Sequence, residues 1–227
     1  MKGAVVLISG GLDSTTVLAM ALADGYDVYP MTIDYGQRHI RELKAAEDVC
    51  EHYGLKDRWK VFGMDMGQIG GSALTDHGIP IPPSALDEGE NRAVPATYVP
   101  GRNVVFISLA AARAETLGLN TVFLGANAVD YSGYPDCRPE FMRAMERALS
   151  LGTSIGTASG FMIMTPIISL SKAEIIRAGM ELGAPYHLTW SCYRGGEKAC
   201  GICESCVLRL KGFAEAGTDD PLEYMDQ

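Results

Sequence analysis

The sequence predicts an α/β fold: a doubly wound, mainly parallel five-stranded sheet, followed by a small cysteine-rich segment at the C-terminal end. Apolar runs of strand length alternate with segments of helical periodicity, and several of the helical segments end at a glycine. Such alternation favours right-handed crossovers and parallel strands. In addition, four cysteines crowd into residues 192–206.

The first part of the chain reads as three strands and two helices. Residues 4–8 form a continuous apolar run, as expected of a strand whose two faces are both covered. After a glycine turn, Asp13 or Ser14 is predicted to cap a helix that Gly25 ends. Two further strands are predicted over 28–34 and 59–64, with a helix over 39–53 between them that stops at Gly54.

Residues 63–103 break this rhythm with many glycines and prolines, and long irregular loops of this kind are usually functional. Beyond them the alternation resumes. Ser171 and Glu174 have the spacing of a capping box at the start of a helix. The predicted helices span 104–118, 139–151, 171–183 and 206–217, and the predicted strands span 120–127 and 164–168.

Length, charge and hydropathy exclude several classes of protein. The 227 residues suffice for one domain, or one domain with a small appendage. A formal net charge of −9 argues against a surface that binds nucleic acid directly, since such surfaces are basic. The N-terminus lacks the pattern of a signal peptide and no apolar stretch reaches membrane-spanning length, so we expect a cytoplasmic protein without a membrane partner.

The stretch SGGLDSTT, residues 9–16, follows the first strand and predicts an anion site. Backbone amides at a glycine turn and a helix N-terminus form an array of donors for phosphate. The stretch contains neither the P-loop pattern GxxxxGK[ST] nor the dinucleotide pattern GxGxxG. The pattern SGGxDST resembles instead the pyrophosphate loop of the adenine-nucleotide α-hydrolases, or PP-loop ATPases, in which the α-phosphate of ATP is attacked. The alternative is a plain strand-to-helix turn.

The four clustered cysteines follow the pattern C-x7-C-x2-C-x2-C at Cys192, Cys200, Cys203 and Cys206. Four thiolates at such spacing can close a tetrahedron around one structural zinc ion. An iron–sulfur cluster is the alternative, and His187 could replace one cysteine. Cys50 reads as a core residue, whereas Cys137 lies in a polar loop from which it could contact a substrate.

Several segments together resemble the 7-cyano-7-deazaguanine synthase family of queuosine biosynthesis. They are SGGLDST, DYGQRHIRE (34–42), TYVPGRN (97–103), GANAVDYSGYPDCRPEF (125–141) and the four cysteines, in the order of that family and over essentially the whole chain. The resemblance implies a ligase that converts 7-carboxy-7-deazaguanine and ammonia to the nitrile through adenylated acid and amide. It also implies a homodimer, small-molecule substrates, and ATP with Mg²⁺ as a substrate.

On this interpretation, residues 1–185 form the ATP-binding domain with substrate loops at 63–103 and 126–140, and residues 186–227 form the zinc knuckle and a helix. Asp13, Ser14, Arg102 and Lys172 are the candidate catalytic residues. Lys172 could instead be a solvated lysine of a first helical turn, and Arg102 a surface arginine. The candidate ATP-binding residues are Ile8, Ser9, Gly10, Gly11, Leu12, Asp13, Ser14, Thr15, Thr16, Val17 and Leu18.

Candidate substrate-binding residues come from the two loops. Arg102 suits bidentate pairing with a phosphate or a substrate carboxylate. Aromatic rings, a carboxylate acceptor and a second cation would suit a deazaguanine ring, although tyrosines in loops are often plain packing. These candidates are Tyr98, Arg102, Tyr131, Tyr134, Asp136 and Arg138.

Two other functions use the same fold. A PP-loop enzyme could adenylate a tRNA base, but the charge of −9 and the absence of an appended RNA-binding region disfavour it. A non-catalytic ATP-binding module would leave the cysteine cluster and the YPDCRPEF stretch unexplained.

Overall fold

A five-stranded sheet forms the centre of the protein in the computed structural model, which describes residues 2–37, 41–82, 94–129 and 133–225. All neighbouring strands are parallel, in the order β3-β2-β1-β4-β5. In the central strand, Val5 pairs with Tyr29 on one side and with Val122 on the other. The strands are β1 Lys2–Leu7, β2 Tyr26–Asp34, β3 Lys60–Gly63, β4 Thr121–Phe123 and β5 Met162–Met164. The predicted fold class is confirmed.

Helices cover both faces of the sheet. They are α1 Leu12–Ala23, α2 Arg41–His52, α3 Arg102–Thr116, α4 Pro139–Gly152, α5 Ser154–Ser159, α6 Lys172–Glu181 and α7 Glu204–Ala216. One apolar cluster joins the sheet to α3 and α4, with Ile107 and Met142 buried in it. The other joins it to α1, α2, α6 and α7, with Val17, Val49 and Ile175 buried. This two-sided covering explains why the strands read as continuous apolar runs.

Most helices begin and end close to their predicted limits, and the capping box at Ser171 and Glu174 is formed as predicted. The predicted cap of α1 by Asp13 or Ser14 is wrong, because Gly11 occupies that position without a side-chain cap and the helix already begins at Leu12. The first residues of the helix predicted over 39–53 lie outside the described residues.

Three other elements differ from prediction. The strand predicted over 120–127 spans only Thr121–Phe123. The last strand lies at Met162–Met164 and not over 164–168, because residues 165–168 turn, with the Ile168 N–H donating to the Thr165 carbonyl at 3.1 Å. Proline at position 166 has no N–H for a strand ladder. The short helix α5 was not predicted; the Thr153 side chain caps it by accepting from the Gly156 N–H.

The C-terminal segment packs against both the α-helical layer and the loop that follows β1. Trp190 donates its backbone N–H to the Gly10 carbonyl at 2.9 Å, and the four cysteines form a cluster of their own with Ala45 of α2. A bridge between Ala199 and Tyr224 holds the end of the chain to this cluster. Within the described ranges, the helices are too short or too polar to cross a bilayer.

Candidate active site

A cleft opens at the carboxyl edge of the sheet, between the ends of β1, β2 and β4. The chain winds outward from β1 to β3 on one side and through β4 to β5 on the other, so the neighbours β1 and β4 mark a topological switch point. Open α/β sheets bind ligands at such points. The cleft therefore lies where this fold places a functional site.

The turn between β1 and α1 depends on its first glycine. Gly10 has φ +82°, and a Cβ there would lie 2.4 Å from the Glu42 carbonyl oxygen and 2.5 Å from the Ala46 nitrogen. Both contacts are to the backbone of α2, which cannot move aside locally. A second close approach occurs at Gly125 after β4, whose added Cβ would lie 3.2 Å from the backbone of Ser14. The loop is thus held between two backbone segments.

Two serine hydroxyls shape the inside of this loop. Ser9 Oγ and Ser14 Oγ lie 3.1 Å apart, and Ser14 Oγ also accepts from the Ser9 N–H at 3.2 Å. The Gly11 N–H donates to Ser9 Oγ at 3.3 Å, a long contact that an incoming anion can replace. These groups lie at the N-terminus of α1, where the helix dipole favours negative charge.

Asp13 and Lys172 form a close ion pair at the mouth of the loop. Lys172 Nζ lies 2.6 Å from Asp13 Oδ1 and 2.8 Å from Oδ2, and the two side chains are only 9% and 18% exposed. The lysine stem packs against α7, since a Cβ on Gly212 would lie 2.3 Å from Lys172 Cγ. Lys172 is therefore a buried, cleft-lining residue and not a solvated lysine of a first turn.

The eleven candidate ATP-binding residues divide into two groups. Those that line the cleft are Ile8, Ser9, Gly11, Leu12, Asp13 and Ser14. The others, Gly10, Thr15, Thr16, Val17 and Leu18, lie behind the loop or in the buried face of α1. Thr16 illustrates this second group, because its hydroxyl lies 2.8 Å from the Tyr186 hydroxyl inside the core. None of these five residues lines the cleft.

Across the cleft from the loop, Arg102 begins α3. Burial disfavours its charge, but the surrounding tyrosine hydroxyls, Cys137 and Asp136 hold its pKa above the ordinary value. Burial also raises the pKa of Tyr134 to about 12 and that of Cys137 to about 11. Arg102 therefore stays charged, while Tyr134 and Cys137 stay neutral. Cys137 lines the cleft as a buried thiol, and a neutral thiol is a poor nucleophile.

Of the other candidate substrate residues, Tyr134 lines the cleft, whereas Tyr98, Asp136 and Arg138 do not. Asp136 is buried and accepts from the Asn103 N–H at 3.1 Å, which satisfies the first turn of α3. Tyr98 packs edge-on against Tyr134, with ring centroids 5.7 Å apart. Arg138 is exposed at the start of α4. Tyr131 lies outside the described residues.

Sequence reasoning missed several residues that line the cleft, among them Glu42, Phe106, Asn127, Trp190, Tyr193 and Arg209. Glu42 is half-buried in the first turn of α2, and burial raises the pKa of its carboxyl to about 7. Arg209 is fully buried and forms a bidentate pair with Asp220 at 2.8 and 2.9 Å. For Glu42, the sequence offers one signal, which is its position at the end of the DYGQRHIRE segment.

The four cysteines lie side by side below the Trp190 wall of the cleft. Their sulfur atoms all lie within 4.8 Å of one another, and Cys200 Sγ is 3.9 Å from Cys206 Sγ. Backbone N–H groups of Cys200 and Cys203 point at the sulfurs of Cys192 and Cys200. A tetrahedron of sulfurs about 2.3 Å from one central ion has edges of about 3.8 Å. The spacing fits a single metal ion held by four thiolates.

Comparison with known proteins identifies the family of the chain. The family model described as "Queuosine biosynthesis protein QueC" matches residues 3–217. The chain belongs to this family. The 7-cyano-7-deazaguanine synthase of Thermoplasma acidophilum is 58% identical over 223 residues, which cover 98% of this chain and 92% of the relative. The synthase of Acetivibrio thermocellus is 54% identical over 228 residues, which cover 100% of both chains.

Among solved structures, a predicted subunit of tRNA methyltransferase from Methanocaldococcus jannaschii superimposes with a TM-score of 0.51. The match covers 80% of this chain and 75% of that one at 17% sequence identity. At this level the likeness concerns the fold alone. Membership of the QueC family therefore rests on the sequence match, and the shared fold is consistent with it.

Proposed function

We propose that this chain is a 7-cyano-7-deazaguanine synthase, which converts 7-carboxy-7-deazaguanine and ammonia to the nitrile at the expense of ATP. The observation that carries the proposal is identity of 54–58% to curated synthases over nearly the whole chain. The cleft supports it, since a phosphate-binding loop and an arginine face each other across a space open to a small molecule.

ATP binds in this proposal with its phosphates on the loop of residues 9–15 and on the N-terminus of α1. The Ser9 and Ser14 hydroxyls exchange their mutual contact for the phosphate oxygens. Lys172 lies at the same place and supplies positive charge once its contact with Asp13 is shared with the nucleotide. Mg²⁺, bound with ATP, neutralises charge on the phosphates. Both Asp13 oxygens accept from Lys172, so any metal contact of Asp13 must share them.

The substrate acid lies between the loop and Arg102, with its carboxylate toward the loop. A carboxylate is a poor electrophile because its leaving group is an oxide. Attack of one carboxylate oxygen on the α-phosphorus releases pyrophosphate and converts that oxygen into part of an AMP leaving group. Ammonia then displaces AMP and gives the amide. Fixed donors in the cleft stabilise the charge that develops at the α-phosphate.

A second adenylation completes the reaction. The amide oxygen attacks another α-phosphorus with release of pyrophosphate, and loss of AMP and a proton leaves the nitrile. The balance requires two ATP molecules and one ammonia for each nitrile. Both activations present an oxygen of the same substituent to the same phosphate site, so one cleft serves both steps.

We further propose that the four cysteines hold one structural zinc ion. Zinc prefers four thiolates in closed structural sites, and such a site contributes directly to folding. Several irons in one cluster would need the thiolates farther apart than a single ion does. Elemental analysis should give one zinc per chain in a colourless protein; stoichiometric iron with visible absorption would contradict the assignment.

The proposal also includes a homodimer that acts in the cytoplasm on free small molecules. Light scattering should give twice the mass of one chain, which is 24.4 kDa. A gel-shift with bulk tRNA at physiological salt should show no complex. Saturable tRNA binding there would favour a tRNA-modifying function instead.

The activity is tested by incubating the protein with 7-carboxy-7-deazaguanine, ATP, Mg²⁺ and ammonium. Mass spectrometry should show the nitrile, and nucleotide chromatography should show two AMP for each nitrile formed. Ser14→Ala should abolish turnover and keep the fold, whereas Ser108→Ala, at an exposed site on α3, should leave both unchanged. ADP as the nucleotide product, or no nitrile from folded protein, would contradict the proposal.

A further inference from the structure

The proposed substrate sets a requirement that the residues assigned so far do not meet. A deazaguanine ring presents a carbonyl oxygen next to two donors, the ring N1–H and the 2-amino group. Donors removed from water need acceptors, because an unpaired buried polar group costs about 1–3 kcal/mol. The cleft must therefore offer an acceptor for these donors.

Two carboxylates line the described part of the cleft, Asp13 and Glu42. Asp13 gives both of its oxygens to Lys172 beside the phosphate loop. Asp136, the acceptor expected from the sequence, instead accepts from the N–H of Asn103 and does not line the cleft. Glu42 is the carboxylate that remains.

Glu42 projects from the first turn of α2, on the opposite face of the sheet from α3. Among the described residues no hydrogen bond or ion pair occupies its side chain, although the positive charge of Arg102 acts on it. The aromatic residues Tyr35, Phe106 and Trp190 line the same cleft. The region combines an acceptor, a donor and aromatic walls.

This combination is complementary to one edge of the ring. A carboxylate accepts from two parallel N–H donors, and a guanidinium donates to a carbonyl oxygen. Glu42 and Arg102 line the same cleft and interact electrostatically, but they do not form an ion pair. Both therefore remain available to a ring edge that presents a carbonyl next to N–H donors. A purely hydrophobic pocket would discriminate poorly between this ring and a ring that lacks the 2-amino group.

Building on the proposed function, we propose that Glu42 is the specificity-determining residue for the ring: its carboxylate accepts from N1–H and from the 2-amino group, while Arg102 donates to the neighbouring carbonyl. The carboxylate substituent of the ring then extends toward the phosphate loop. The residue contacts substrate and not ATP.

The test compares Glu42→Gln with wild type in steady-state kinetics. One carboxylate oxygen becomes an NH₂ group that faces the substrate donors, so KM for 7-carboxy-7-deazaguanine should rise at least about tenfold, as expected for a hydrogen bond to a charged group. KM for ATP and for ammonium should change less than twofold. Glu51→Gln, on the same helix with its side chain 61% exposed, is the matched control and should behave as wild type.

A substrate analogue sharpens the assignment. Wild type should prefer the acid over its analogue without the 2-amino group by about 10- to 100-fold in kcat/KM, and Glu42→Gln should lose most of this preference. An unchanged KM for the acid would overturn the inference. A rise confined to the KM for ammonium would also overturn it and would assign Glu42 to ammonia. Failure of wild type to form nitrile would instead count against the proposed function.

If Glu42→Gln does not fold, a crystal structure of wild type with the bound acid provides the decision. The N1 and 2-amino nitrogens should lie within hydrogen-bond distance of the Glu42 carboxylate. A ring edge directed at any other acceptor would overturn the inference.

Discussion

The ion pair between Lys172 and Asp13 can be tested by removing one partner at a time. Lys172→Met keeps the stem that packs against Gly212 and removes the charge. Asp13→Asn keeps the size of the carboxylate. Each variant leaves one charged or polar group nearly out of contact with solvent, because the two side chains are only 9% and 18% exposed.

The magnitude follows from distance and burial. At about 2.7 Å and an effective dielectric constant of about 20, the attraction is about 6 kcal/mol before desolvation is subtracted. Breaking a buried pair typically costs about 3–5 kcal/mol. We therefore expect each single variant to lose about 3 kcal/mol of unfolding free energy. The double variant should lose clearly less than the sum of the two single variants.

A second pair in the same protein is a natural control. Lys44 lies 2.8 Å from Asp48, a similar distance, but the two side chains are 62% and 35% exposed. Solvent-exposed pairs contribute about 1 kcal/mol or less, so Lys44→Met should cost little. Urea unfolding of all four variants and wild type measures these differences. Equal losses for Lys172→Met and Lys44→Met, or a cycle without coupling, would refute the reasoning.

Three further predictions concern the loop, the metal site and the charge of Glu42. Gly10→Ala should lower the unfolding free energy by about 3 kcal/mol or more, because a Cβ at this position clashes with the backbone of α2 and because Gly10 has a positive φ. In the same urea assay Gly11→Ala should lower it much less, because a Cβ there would lie 3.3 Å from the flexible Ser9 hydroxyl. Removing the metal with a chelator, or the substitution Cys203→Ser, should shift the fluorescence of Trp190 and weaken ATP binding measured by calorimetry. The reason is that the backbone N–H of Trp190 donates to the carbonyl of Gly10 in the loop. Unchanged ATP affinity in metal-free protein would contradict this expectation. Burial raises the folded pKa of Glu42 from 4.5 to about 7, so the folded state binds more protons between these values. The full shift would lower the unfolding free energy of wild type by about 2.5 kcal/mol as pH rises from 5 to 8. Because the side chain is only partly buried, we expect a loss of about 1 kcal/mol relative to Glu42→Gln, and parallel pH profiles would contradict it.

The parts of the fold that the sequence predicts well are those determined by local pattern. Continuous apolar runs marked the strands, and Ser171 with Glu174 marked the start of α6 because a capping box is a local interaction. The start of α1 was misjudged because Asp13 looks like a cap locally but pairs with Lys172, 159 positions away. Propensity carries no information about such a partner.

The site shows the same division. The SGGLDSTT loop and the four cysteines were recognisable because their residues are close in sequence and act together. Phe106 and Tyr193 reach the cleft from separate elements, and nothing in their local sequence sets them apart. Glu42 is marked only by its place at the end of the DYGQRHIRE segment. Asp136 is an example of the opposite error. It lies in a segment that carries the family resemblance, but its carboxylate accepts from a backbone N–H in the first turn of α3 and does not line the cleft.

Oxygen tracing tests most directly the claim that the loop presents the α-phosphorus of ATP to an oxygen of the substrate acid. The protein is given 7-carboxy-7-deazaguanine with both carboxylate oxygens labelled with ¹⁸O, together with unlabelled ATP, Mg²⁺, ammonium and water. Mass spectrometry should find two AMP for each nitrile, each carrying one ¹⁸O atom. Unlabelled AMP, or label in inorganic phosphate with ADP as the product, would contradict the account.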